Sequence, residues 1–354
     1  LERESREVSG SAPLVEVRRG PITESRHRGH IVAVDGTGHV VASLGAPETV
    51  TYLRSSAKPF QAIPLVASGA ADRFGFTEKE IAIACASHNG EPMHTELALS
   101  ILKKIGLEPS ALKCGVHEPY SADEAKNLRE RGEAPNVLHN NCSGKHAGML
   151  ALALHLGAPT ETYDHANHSV QLAVHEIIAR FSGVASEDLK VGVDGCGIPV
   201  FGLSVHAMAL MYARLIAPPA DFDDVTRRAC QRIVAAMTGF PELIGGSKDR
   251  LDTEMMRATK GRVISKVGAE GVYTVGVLPG AEWPSGLGLA LKIEDGDDHR
   301  ARPTVVIESL RQLGVLSGES LANVSRYARF PIKNRRGDLV GEVTPAFDLY
   351  HLAS

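Results

Sequence analysis

Short apolar and alternating runs crowd both ends of this 354-residue chain, and helical periodicity fills the stretch between them. Runs at 14–19, 30–35 and 39–44, with Asp35-Gly36-Thr37-Gly38 as a turn, predict an N-terminal antiparallel meander. Val50-Thr51-Tyr52-Leu53 reads as the end of a further strand. Helices are expected over 78–86, 94–105, 122–131, 145–156, 168–181, 203–215, 224–237 and 252–259. A short strand is expected at 190–193, and strand patterns return at 262–266, 272–278, 286–292 and 339–343. Between the last two, 302–313 is a helix candidate whose start is blurred by Thr304-Val305-Val306-Ile307. Strands at both ends around a helical middle fit one sheet lobe carrying an inserted helical lobe. The expectation is therefore an α/β protein. Residues 13–75 and 255–354 form a mainly antiparallel sheet lobe flanked by helices, 76–254 form the helical lobe, and the polar stretch 1–12 is a disordered arm.

Charge and cysteine usage narrow the function classes. A net charge of −4, with no basic stripe carrying interleaved aromatics, argues against nucleic-acid and membrane-surface partners. No apolar run approaches the ~20 residues that span a bilayer. Five scattered cysteines fit a reduced, cytoplasmic protein, with Cys85 a small core residue in its apolar stretch and Cys114 and Cys230 in ordinary surroundings.

Polar residues concentrate in glycine-marked or serine-rich turns, where functional groups sit on rigid scaffolds. In Arg54-Ser55-Ser56-Ala57-Lys58-Pro59 a serine stands three residues before a lysine. On a helix the two share a face, and the amine can take the serine's proton. The helix N-terminus would add N–H groups suited to an oxyanion. Against this stands an N-cap followed by a solvated lysine, and Pro59 disfavours helical geometry at Lys58. Ser87, in Ala86-Ser87-His88-Asn89-Gly90-Glu91, is either a second presented hydroxyl or part of a cap for the next helix. Asn140-Asn141-Cys142-Ser143-Gly144-Lys145-His146 lacks the upstream glycine of a phosphate loop, and His146 replaces its Ser/Thr. Cys142, and Cys196 in Asp194-Gly195-Cys196-Gly197, suit metal ligation or redox better than core packing. On chemistry His146 is the third ligand, since Lys145 must first lose a proton against an ordinary pKa of about 10.4. Lys266, leaving a strand into Val267-Gly268-Ala269-Glu270-Gly271, points either into a cleft or outward from an edge strand.

Taken in order, five blocks resemble the rhizobial-type L-asparaginases, the class 3 or asparaginase II family. They are Arg54 to Pro59, Ser87 to Glu91, Asn141 to Gly148, Asp194 to Pro199 and Lys266 to Gly271, and the likeness runs from Val15-Glu16-Val17-Arg18-Arg19-Gly20 to the C-terminal strands. The resemblance implies a fold related to serine β-lactamases and Ser-Lys glutaminases, a homodimer, and hydrolysis of L-asparagine to aspartate and ammonia. It implies two Ser–Lys tandems, Ser55 with Lys58 and Ser87 with Lys266. It also implies one zinc ion per subunit on Cys142, Lys145 and Cys196. Arg54, Asn141, His146, Asp194, Gly268 and Glu270 are the expected substrate contacts, with the Gly268 turn offering backbone N–H groups to an oxyanion. The rival readings are a zinc-hydroxide amidohydrolase, a Ser-Lys acylase for glutamine or a β-lactam, and a non-catalytic amino-acid-binding protein.

Overall fold

The computed structural model describes residues 10–352. Residues 1–9 of the expected arm lie outside that range, and Ala12 already opens a strand. The chain divides into two compact units. One holds the residues up to Leu53, Leu203–Ala217 and Ser265 onward; the other holds Arg54–Gly202 and Pro218–Ile264. Three segments thus fall elsewhere than the sequence suggests. Residues 54–75 and 255–264 go with the helices, and Leu203–Ala217 goes with the sheet.

The sheet unit is built on a path of seven strands. Their order is Phe330–Lys333, Leu339–Pro345, Ala12–Arg19, Ile22–Asp35, Leu287–Ile293, Val272–Val277 and Val263–Val267. Val40–Leu44 pairs with Ile22–Asp35, and Tyr350–His351 pairs with Val40–Leu44. Pairing is antiparallel, with Val17 opposite Val343, Val32 opposite Ala290 and Thr274 opposite Ala290 on its other side. Every residue of Val272–Val277 is buried, and so is all of Leu287–Ile293 except Lys292. Burial on both faces explains why these strands read as apolar runs without alternation.

Helix Val205–Ile216 belongs to this unit because it lies against the sheet so closely that a Cβ on Gly288 would collide with the Ala209 carbonyl. The strand Pro199–Ser204 just before it went unseen, since Pro199 and Gly202 both read as breakers. Ala301–Gln312 is helical despite its β-branched run, and Thr304, Val305, Val306 and Ile307 are all buried. Packing there overrides local propensity.

The helical unit is organised around two interior helices. Lys58–Ala67 buries nine of its ten residues and packs on helices Ser143–His155, Ser169–Ser182 and Asp224–Gly239. Ser143–His155 buries eleven of its thirteen. Helices apolar on all sides belong in a core. A Thr77–Glu80 capping box starts helix Glu78–Ala84, which leads directly into the Ser87 turn. Strands Lys190–Val193 and Pro199–Ser204 form a hairpin, with Val193 opposite Pro199, whose tip carries Asp194 and Cys196. Among the described residues no helix is long and apolar enough to cross a membrane.

Candidate active site

Arg54–Ala57 forms a 3₁₀ turn and the α-helix begins at Lys58. Pro59 sits in the first helical turn, where its missing N–H costs nothing, so it does not displace the helix. Ser55 thus lies in the 3₁₀ turn and Lys58 opens the α-helix, three residues apart across the junction of the two elements. Arg54 enters this turn at φ +53°, a left-handed conformation that a non-glycine residue adopts only at a cost. Its side chain is held by an ion pair, Nε to Asp194 Oδ1 at 2.8 Å. Burial raises the Asp194 pKa; Lys145, the Gly195 N–H and Arg54 outweigh it and hold the carboxyl below its usual range.

Lys58 is only 1% exposed, which rules out a solvated lysine. Its Nζ contacts Ala86 O at 2.6 Å, Ser87 Oγ at 2.9 Å and Asn141 O at 3.1 Å. Burial pushes its pKa down, with Lys145 adding to the shift and Cys142 and Cys196 opposing it. The two carbonyls can only accept. Lys58 therefore donates an N–H to each of them and a further one to Ser87 Oγ. Ser87 thus has Lys58 as a lysine contact.

Ser87 does not cap the next helix. Pro92–Lys104 is capped by Glu91, in a box with His94. His88 is fully buried and satisfied: Nδ1 accepts from Gly90 N–H at 3.1 Å and Nε2 meets Ser143 Oγ at 3.0 Å. It supports the turn from behind.

The Asn141–His146 segment begins an interior helix. Asn141 N–H donates to His117 Nε2 at 3.0 Å while its carbonyl receives Lys58. Gly144 is required by packing, because a Cβ there would collide with the Ile83 carbonyl. Gly144→Ala is expected to destabilise the fold by roughly 1–3 kcal/mol, measurable as a lowered midpoint in urea unfolding. His146 is fully buried, its Nδ1 2.7 Å from the Tyr163 hydroxyl. Tyr163 in turn accepts from Lys113 N–H at 2.9 Å.

The zinc site expected on Cys142, Lys145 and Cys196 is corrected by the structure. Among the described residues no group of three or more His, Cys, Asp or Glu side chains is placed to hold a metal ion. The donor chemistry agrees. Lys145 Nζ donates to Cys196 Sγ at 3.0 Å. Burial alone would lower its pKa, but Cys142, Cys196 and Asp194 more than reverse this and keep it protonated. An ammonium has no lone pair for a metal. His146, the alternative third ligand, meets the Tyr163 hydroxyl through Nδ1, and its Nε2 is buried without a hydrogen-bond partner. The thiols share a proton: the Cys196 hydrogen bond and the nearby lysines push Cys142 well down against its burial. The same hydrogen bond, with burial, pushes Cys196 up. Cys142, Lys145 and Cys196 thus form a buried cluster in which Lys145 donates to Cys196.

Lys266, Gly268 and Glu270 belong to the sheet unit. Lys266 is fully buried and donates to Val267 O at 3.1 Å, so it does not point outward from an edge. The Gly268 N–H, expected as an oxyanion donor, is donated to Val272 O at 2.9 Å and closes the turn instead. A Cβ on Gly268 would crowd Val272. Glu270 is exposed at φ +58°.

Two residues at this site were not foreseen. His117 carried no local signal. Arg250 donates from Nη2 to Ser87 O at 2.8 Å and from Nη1 to Asn89 Oδ1 at 2.6 Å. It closes Gly245-Gly246-Ser247-Lys248-Asp249-Arg250, a glycine-marked polar turn of the same kind as the others.

Comparison with known proteins gives a family match over most of the chain: the family described as L-asparaginase II matches residues 15–345. No curated protein matches the chain in sequence. Among solved structures, a probable glutaminase from Bacillus subtilis complexed with 6-diazo-5-oxo-L-norleucine is 12% identical, with 84% of this chain and 87% of that chain covered and a TM-score of 0.40. A β-lactamase from Mycobacterium bovis is 13% identical, covering 80% and 94%, with a TM-score of 0.44. A Bacillus glutaminase is 14% identical, covering 81% and 91%, with a TM-score of 0.36.

Proposed function

Because this chain belongs to the L-asparaginase II family and is a Ser/Lys-type hydrolase of a small amide, we propose that its substrate is the side-chain amide of L-asparagine and that Ser55 is the nucleophile. The observation that carries the mechanism is the position of Lys58, at the start of the helix that follows the Ser55 turn and 2.9 Å from Ser87 Oγ. Ser55 Oγ attacks the amide carbon and neutral Lys58 takes its proton. The C–N bond breaks as the Ser87 hydroxyl gives its proton to the departing nitrogen, and Lys58 reprotonates Ser87. Water then attacks the ester with Lys58 again as base, the bond to Ser55 Oγ breaks as Lys58 returns the proton to that oxygen, and aspartate leaves. Water exclusion supports the neutral lysine that both steps need. Arg54, fixed by Asp194, is placed beside the nucleophile for the substrate carboxylate. Lys266 and a homodimeric state enter on the resemblance alone, and a cytoplasmic site of action on the scattered cysteines.

The test is ammonia release from L-asparagine, L-glutamine and a β-lactam side by side. Asparagine is expected to give the highest kcat/KM. Faster release from glutamine reassigns the substrate within the same chemistry. Tight asparagine binding with no release from any of them contradicts an enzyme of this kind.

A further inference from the structure

The backbone of Ser87 is gripped at both ends by one distant segment. Its N–H donates to Ile244 O at 2.9 Å, and its carbonyl accepts from Arg250 Nη2 at 2.8 Å. The other arm of the same guanidinium holds Asn89 Oδ1 at 2.6 Å and reaches Gly245 O at 3.3 Å. Two further interactions close the clasp. Ser247 N–H donates to Glu91 Oε1 at 3.0 Å, and a Cβ on Gly246 would collide with the Asn89 side chain. With its peptide groups fixed, Ser87 can turn only about its own side-chain bond, and Lys58 stands 2.9 Å from its hydroxyl.

The geometry points to Arg250 as a positioning residue for Ser87: its forked grip sets where the hydroxyl stands relative to Lys58. This rests on the catalytic reading of Ser87 given above. A lysine at this position is no substitute, because one ammonium on a flexible stem cannot match a planar fork that spans two acceptors. Arg250 meets Ser87 through its backbone carbonyl and not its hydroxyl, so on this proposal its effect on turnover passes through Ser87. A merely structural arginine has no such dependence, and the two roles separate in a double-mutant cycle.

The experiment compares Ser87→Ala, Arg250→Ala and the double variant by kcat and KM, with a crystal structure of Arg250→Ala. Arg250→Lys serves in its place should the alanine variant fail to fold. Arg250→Ala is expected to lower kcat by about 10²-fold, the scale of an ångström-sized misplacement, with KM changed by less than about threefold. The double variant is expected to be no slower than Ser87→Ala alone. The crystal structure is expected to show Ser87 Oγ moved out of hydrogen-bond reach of Lys58 Nζ. Additive losses, or a Ser87–Lys58 hydrogen bond that persists unchanged in the variant, overturn the proposal. Full activity in Ser87→Ala instead overturns the catalytic reading of Ser87. The distance from Ser87 Oγ to Lys58 Nζ in the crystal then decides the positioning claim by itself.

Discussion

Ser55→Ala is expected to lower kcat by about 10⁴-fold or more, with substrate binding largely kept. The size follows from the chemistry. Without the hydroxyl there is no ester intermediate, and the reaction must find water as a nucleophile in a site arranged for a serine. The variant should fold normally, since Ser55 lies on a 3₁₀ turn outside the packed helix and is partly exposed. Steady-state ammonia release with a dissociation constant for asparagine checks both halves. Retention of more than a tenth of wild-type kcat would remove Ser55 from the mechanism.

Lys58→Met is the second large effect, expected at about 10³-fold in kcat, within the range for loss of a general acid–base group. Methionine keeps the volume and removes the amine, leaving the carbonyls of Ala86 and Asn141 without their donor. Lys58→Arg is expected to fare no better, because a guanidinium stays protonated and cannot accept from serine. The pH dependence separates base chemistry from packing. Burial lowers the Lys58 pKa, so wild-type kcat rises with pH as the amine loses its proton. That rise is expected to disappear in Lys58→Met. A variant that keeps the same limb places the titrating group elsewhere.

Much of this arrangement was legible in the residues, and what escaped has physical causes. The three-residue spacing of Ser55 and Lys58 is written in the sequence itself. The contact of Lys58 with Ser87 is not, because it is decided where the end of one helix packs on the start of another, 29 residues away in sequence. Arg250 reaches Ser87 across 163 residues, a separation that no local pattern encodes. The zinc expectation is overturned because the described residues bring together no group of three metal-binding side chains, and Lys145 instead donates to Cys196, which arrives on a separate hairpin. In the sheet, the doubly buried strands were readable as apolar runs. The strand Pro199–Ser204 was hidden by two residues that usually break strands, and Thr304-Val305-Val306-Ile307 joined a helix because burial outweighed its β-branched composition. Gly268 reads equally well as an oxyanion turn or a tight strand connection, and its N–H closes the latter.

The central claim is that a serine ester forms on Ser55. Rapid-quench mass spectrometry of the enzyme mixed with excess asparagine tests it most directly, with the digest searched for an aspartyl group on the peptide carrying Ser55. The account predicts that adduct during turnover, its absence in Ser55→Ala, and aspartyl hydroxamate as a product when hydroxylamine is added. Full turnover with no adduct on Ser55 and no hydroxamate, or an adduct on Ser87 in its place, contradicts it.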